Sequence, residues 1–172
     1  SCLSPDALAR GRTLYELKHP RRTDEVNAWS TERFLAELRL ARSGSLTRAA
    51  LLLFGQSDTV AALGDVSPRL TWQLLTDGDE PLDYQHFGLP FALAVDEVAA
   101  KIRIHTVRIL PPGQLAPLEV PNYDAWVIRE ALLNCIAHQD YALGGRVQIK
   151  ESPAALLFSN AGAFIPGSVE QV

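Results

Sequence analysis

The chain of 172 residues and 18.8 kDa is one domain, or one domain with an appendage, and is long enough to bury a sizeable core. With 47% hydrophobic and 21% charged residues it has the composition of an ordinary globular protein, which excludes intrinsic disorder, collagen and coiled coil. The net charge of -4 conceals an asymmetry: residues 1–48 hold nine Lys/Arg against six Asp/Glu, and the remainder holds seven against fourteen.

The acidic larger part argues against a phosphate-backbone groove there, since such grooves need dense Lys/Arg. A basic N-terminal part can touch nucleic acid, but the mixed run Lys18 to Glu25 reads as a solvated connector. No window reaches the run of apolar residues that a membrane span needs, and Ser1-Cys2-Leu3-Ser4-Pro5 lacks the regions of a signal peptide, so the expectation is a cytoplasmic protein. The two cysteines, Cys2 and Cys135, make no disulfide framework. The absence of methionine, and the run Ile165 to Val172 without a cap or stop signal, read as an internal fragment.

Residues 1–29 show no sustained period and are expected as a linker or helical arm, with residues 30–172 as the folded domain. Ser30 caps a helix with apolar positions Phe34, Leu35 and Leu38, and Ser43-Gly44-Ser45 follows it as a linker. Thr47 caps a second, buried helix over Ala49 to Phe54, with Gly55 placed as its C-cap glycine. Leu70 to Leu74 alternates as a half-buried strand before the turn Thr76 to Pro81. Pro90 to about His105 carries a helical apolar stripe, Thr106 to Leu110 reads as a strand, and Pro111 to Pro121 as a proline-studded loop. A helix over Asn122 to Gln139 precedes Gly144-Gly145 and a hairpin of Arg146 to Lys150 with Ala155 to Ser159.

At about 100° per residue, Glu130, Asn134 and His138 fall within about 80° on one face of that last helix. Its other residues, among them Trp126, Val127, Ile128, Leu132, Leu133, Cys135 and Ile136, are mostly apolar, so the helix is expected to be largely buried. A buried polar stripe needs partners: each other, a strand backbone, water or a ligand. Two readings stay open at this point. One is a satisfied core network; the other is a magnesium-nucleotide site, with the Asn oxygen on Mg2+ and the Glu orienting water.

Arg129-Glu130-Ala131-Leu132-Leu133-Asn134-Cys135-Ile136-Ala137-His138-Gln139-Asp140-Tyr141, with Leu46 to Gly55 upstream and Phe158-Ser159-Asn160-Ala161-Gly162 downstream, resembles a bacterial family of transcriptional regulators named after the RecG helicase. The central domain of that family is a divergent GHKL (Bergerat-fold) ATPase, and the resemblance covers roughly residues 30–172. It implies an α+β fold built as a two-layer α/β sandwich, incomplete at the C-terminus because the lid and later glycine-rich segments would lie beyond Val172. It also implies ATP and Mg2+ as cofactors, with Glu130 as the general base, Asn134 as the Mg2+ ligand, His138 lining the site, Asn160 accepting from adenine and Gly162 turning beside the base.

In such proteins DNA is bound through an AlbA-like domain before this region and a winged helix after it, neither of which this chain contains; a homodimer is compatible with the resemblance. ATP hydrolysis is expected, if anywhere, in the full-length protein, and no helicase motor is expected, for want of a Gly-x-x-x-x-Gly-Lys loop. The chain departs from the family pattern where Gln139 replaces Arg and Ala161 replaces Pro. The rival reading is a degenerate ATPase scaffold kept for dimerisation or signal relay. A third has the segment up to Arg48 bind DNA directly.

His19, His86 and His105 are isolated and read as packing or surface residues rather than zinc ligands. Trp29, Trp72 and Trp126 read as packing residues, and Arg146 with Lys150 as one solvated strand face.

Overall fold

The computed structural model describes residues 2–64, 67–144 and 146–162. The expectations resting on Gly145 and on the last ten residues lie outside that range.

The chain is an α+β protein. Helix α1 (Pro5–Lys18) begins where Ser4 accepts a hydrogen bond from the Ala7 amide and Pro5 occupies the first turn. Helix α2 (Thr23–Asn27) and helix α3 (Thr31–Glu37) follow, the latter capped by Ser30 through the Arg33 amide. The expected linker at Ser43-Gly44-Ser45 is instead the tip of a hairpin between β1 (Ala41–Arg42) and β2 (Ser45–Leu46). Ser43 and Gly44 both have positive φ, the geometry a two-residue hairpin turn requires. Helix α4 (Arg48–Phe54) is capped by Thr47 through the Ala50 amide.

Residues 1–29, expected as a linker or helical arm, are helical and packed into the fold: Leu3, Ala7, Val26 and Trp29 join Phe34, Leu35, Leu40, Ala50 and Phe54 in one buried cluster. The inward face of α1 combines Ala7 and Gly11 with the partly buried Leu8 and Tyr15, and a Cβ on Gly11 would lie 2.7 Å from the Phe54 ring, so close approach takes the place of part of the bulky stripe that periodicity detects. Gly55 is the C-cap residue of α4, as expected, with its N–H on the Leu51 carbonyl and an extended backbone, φ -66° and ψ 144°. It is glycine because a Cβ there would lie 2.3 Å from the Leu51 carbonyl oxygen.

The second half is built on a four-stranded sheet. Strands β3 (Leu70–Leu75) and β4 (Pro81–Phe87) form an antiparallel hairpin around the expected turn, and β3 is central. Helix α5 (Phe91–Lys101) stops short of the expected end. Strand β5 (Thr106–Ile109) pairs antiparallel with β6 (Leu118–Pro121), so the proline-studded loop is the end of a second hairpin and contributes a strand of its own. Helix α6 (Ala125–His138) leads to β7 (Val147–Glu151), parallel to β3, and β8 (Leu156–Ser159) closes the order β4-β3-β7-β8.

One face of this sheet carries the core. Leu70, Trp72, Val147 and Ile149 pack under Phe91, Val95 and Val98 of α5 and Ile128, Leu132, Cys135 and Ile136 of α6. The register puts Thr71, His86 and Gln148 on the opposite face, where the Thr71 hydroxyl and His86 Nδ1 are 3.0 Å apart. Among the described residues no helix is long and apolar enough to cross a membrane.

Candidate functional site

The apolar face of α6 orients the helix, and Asp124 starts it. Its carboxylate accepts from the backbone N–H groups of Trp126 at 2.7 Å and Val127 at 3.4 Å, and the helix then turns Ile128, Leu132, Cys135 and Ile136 inward. Glu130, Asn134 and His138 therefore face outward and are exposed. This corrects the expected buried stripe: the sheet and α5 cover one side of α6 only. Trp126, read from sequence as a packing residue, is 69% exposed on the same helix. A core network cannot account for residues that water already reaches.

The Asn134 amide nitrogen donates to Glu130 Oε1 at 3.5 Å. That orients the Asn134 side-chain oxygen away from the carboxylate, and no described residue donates to that oxygen or to the second Glu130 oxygen. Two hard oxygen donors with free lone pairs stand one helical turn apart, about 6 Å along the axis.

At the C-terminal end of α6 the segment after β8 docks against the helix. Asn160 Nδ2 donates to the His138 carbonyl at 3.0 Å and to the Ala161 carbonyl at 3.4 Å. With both donors directed at backbone carbonyls, Oδ1 is left as the open acceptor of this amide among the described residues. Asp140 N–H donates to the Ala161 carbonyl at 2.7 Å. Gly162 has φ of 152°, and a Cβ on it would lie 2.8 Å from the His138 carbonyl oxygen, so only glycine passes the helix end this closely. The contact with the following loop runs through the His138 backbone, and the imidazole makes no hydrogen bond among the described residues.

Gln139 and Ala161, which differ from the motif that the sequence resembles, are partners. The Ala161 N–H donates to Gln139 Oε1 at 2.9 Å, while Gln139 Nε2 donates to the Asp140 carbonyl at 2.9 Å. Proline at 161 would have no N–H to give and arginine at 139 no oxygen to accept it, so the two replacements belong together. We expect Gln139→Arg alone and Ala161→Pro alone each to lower stability, and the double variant to recover about 0.5–3 kcal/mol of the summed loss in a denaturant double-mutant cycle. Additive losses would show that the pair is uncoupled. Tyr141 closes the same corner: its hydroxyl donates to the Ile136 carbonyl at 2.9 Å, and burial pushes its pKa up to about 12.

Two charged clusters escaped sequence reasoning. Asp96 on α5 receives Arg10 Nε at 2.6 Å and is also bonded by Arg129 of α6, tying α1 to both core helices. Burial alone would raise its carboxyl; the hydrogen bonds and charges of Arg10 and Arg129 outweigh that and hold it below the usual carboxylate range. The second is Glu151, 3% exposed at the end of β7, which accepts from Trp72 Nε1 at 3.0 Å and Arg103 Nε at 2.7 Å.

A family model described as "Domain of unknown function (DUF8451)" matches residues 1–65. None of the curated proteins compared matches the chain. Among solved structures, the crystal structure of the DIP2311 protein from Corynebacterium diphtheriae is similar, with a TM-score of 0.64 at 18% identity over 95% of this chain. The similarity is one of fold. This chain spans 31% of the length of that protein.

Proposed function

We propose that the outward face of α6 and the Asn160-to-Gly162 segment form a magnesium-nucleotide site of GHKL type, carried by a cytoplasmic bacterial transcriptional regulator. The observation that carries the reading is a set of open acceptor oxygens: the second Glu130 oxygen and Asn134 Oδ1 on one face of α6, and Oδ1 of Asn160, whose donors are used on the backbone at the end of that helix. Asn160 Oδ1 suits the 6-amino group of adenine and not the 6-oxo group of guanine. Asn134 Oδ1 would hold Mg2+, and Glu130 would orient a water beside it. The bound ion would neutralise phosphate charge, which this face needs because it carries Glu130 and no cation among its described site residues. Gly162 would let the chain turn beside the base while staying close to the helix end.

The rival reading, a degenerate scaffold, drew on the neutral Asn160, at the position where the resembled ATPases carry an aspartate, and on the replacements at 139 and 161. Their mutual hydrogen bond preserves the corner that holds Asn160, which favours the nucleotide reading.

The test is titration of Mg-ADP, Mg-ATP and Mg-GTP into the isotope-labelled chain, followed by amide chemical shifts. Adenine nucleotides are expected to move the resonances of Glu130 to His138 and Asn160 to Gly162 saturably, GTP more weakly, and chelation of Mg2+ to reverse the effect. Unmoved resonances at millimolar Mg-ADP and Mg-ATP would sink the proposal.

A further inference from the structure

The structure sorts the excess positive charge of the N-terminal part. Arg10 is bound to Asp96, and Arg12 donates to the Val26 carbonyl at 2.9 Å and the Trp29 carbonyl at 3.0 Å. Arg22 is paired with Glu25 at 2.8 Å, and Arg33 lies 3.6 Å from the same carboxylate. Both also stack over the Trp29 ring. These four cations hold the fold together and offer little to a partner.

Arg39, Arg42 and Arg48 are different: among the described residues none of their guanidinium groups has an ion pair or hydrogen bond, and, unlike Lys18 and Arg21, which are also unpaired, they sit on or beside one projecting hairpin. All three belong to the β1–β2 hairpin or its immediate flanks. The register pairs Ala41 with Leu46 and Arg42 with Ser45, and the Thr47 N–H donates to the Leu40 carbonyl at 2.9 Å. Arg39, in the turn after α3, and Arg48, the first residue of α4, flank the two ends of the ribbon, and Arg42 stands next to its tip. Arg42, Ser43, Gly44 and Ser45 are all exposed. The neighbouring acid, Glu37 at the end of α3, is directed to Arg22 at 4.0 Å.

We propose that the β1–β2 hairpin docks on the phosphate backbone of duplex DNA, with Arg39, Arg42 and Arg48 as its phosphate contacts. A narrow two-stranded ribbon enters the B-form major groove, whereas the major groove of duplex RNA is too narrow and deep to admit side chains. The hairpin carries no aromatic residue on which unpaired bases would stack, which disfavours a single strand. Guanidinium forks and the exposed Ser43 and Ser45 hydroxyls address phosphate and sugar, so the contact positions the protein without reading sequence. This surface is separate from the α6 face and needs no nucleotide.

The test is an amide-shift titration of the nucleotide-free chain with a short DNA duplex, a single strand of the same sequence, and a polyglutamate peptide of matched charge. Duplex DNA is expected to shift Arg39 to Arg48 selectively. Three released counterions make the apparent affinity fall by about 40-fold between about 50 and about 200 mM salt. Replacing all three arginines by Gln should abolish the response, with the remaining spectrum unchanged. Arg42→Gln alone should reduce the salt slope by about one third and serves if the triple variant is unfolded. Lys150→Gln, on the sheet face, should change nothing. Equal response to single strand or polyglutamate, or shifts outside the hairpin that survive the triple substitution, would overturn the proposal.

Discussion

Asn134→Ala is expected to erase the nucleotide response of the chain while leaving the unliganded protein as stable as before. Asn134 is exposed and its one protein contact is a 3.5 Å bond to Glu130, so its removal should cost no more than about 0.5 kcal/mol in denaturant unfolding. Ligand present at about 100 times its dissociation constant stabilises the wild type by about 2.7 kcal/mol, and that increment should vanish in the variant at the same Mg-ADP concentration. Asn134→Asp makes the contrast sharper. A carboxylate can still ligate Mg2+ but repels Glu130 and free phosphate, so it should retain part of the Mg-dependent increment and lose any binding seen without the ion. A large loss of unliganded stability in Asn134→Ala, with the nucleotide increment intact, would place the residue in the scaffold instead of the site.

The sequence was legible where side-chain chemistry is local. Ser30, Thr47 and the turn Thr76 to Pro81 each act through neighbours within a few residues, and the elements they bound formed as expected. The Glu130, Asn134, His138 spacing likewise put three residues on one face. What spacing could not supply was which way that face looks, because the answer depends on how many layers cover α6 and on which of its apolar residues the sheet and α5 bury. The packing of helix α1 into the fold was missed for a different reason. Its start signal, Ser4-Pro5-Asp6, was present, but two of its contact positions, Ala7 and Gly11, carry little apolar weight beside Leu8 and Tyr15. Strands β4 and β6 were missed because both lie at exposed edges, where burial leaves no alternating pattern.

The pairing of Gln139 with Ala161 bears on how such departures are weighed. Set against the resembled motif, each alone reads as decay. Together they make a hydrogen bond that fixes this corner, twenty-two residues apart in sequence. A functional motif read position by position misses compensation of this kind, because the acceptor and donor meet only after β7 and β8 have paired.

Glu151→Ala is expected to be the most damaging single change outside the apolar core, lowering unfolding free energy by about 2–4 kcal/mol. The carboxylate ends the Val147, Ile149, Glu151 alternation on the core side of the sheet, a period-two signal that sequence reading could have used. It joins three elements: its Oε2 accepts the buried Trp72 indole N–H from β3, and its Oε1 accepts both the side chain and the backbone N–H of Arg103 after α5. Truncation would leave the indole N–H without an acceptor inside the core and release the Arg103 segment that leads into β5. Arg103 is more than half exposed, so most of the loss should come from the indole and the vacated volume, and little from the ion pair. Three variants separate these parts. Arg103→Ala should cost less than about 1 kcal/mol, and Glu151→Gln, which keeps one acceptor oxygen, should fall between it and Glu151→Ala. Trp72→Phe in the Glu151→Ala background should recover part of the loss by removing the orphaned donor. If Arg103→Ala proves as damaging as Glu151→Ala, the tether to the loop after α5, and not the buried indole bond, is what Glu151 maintains.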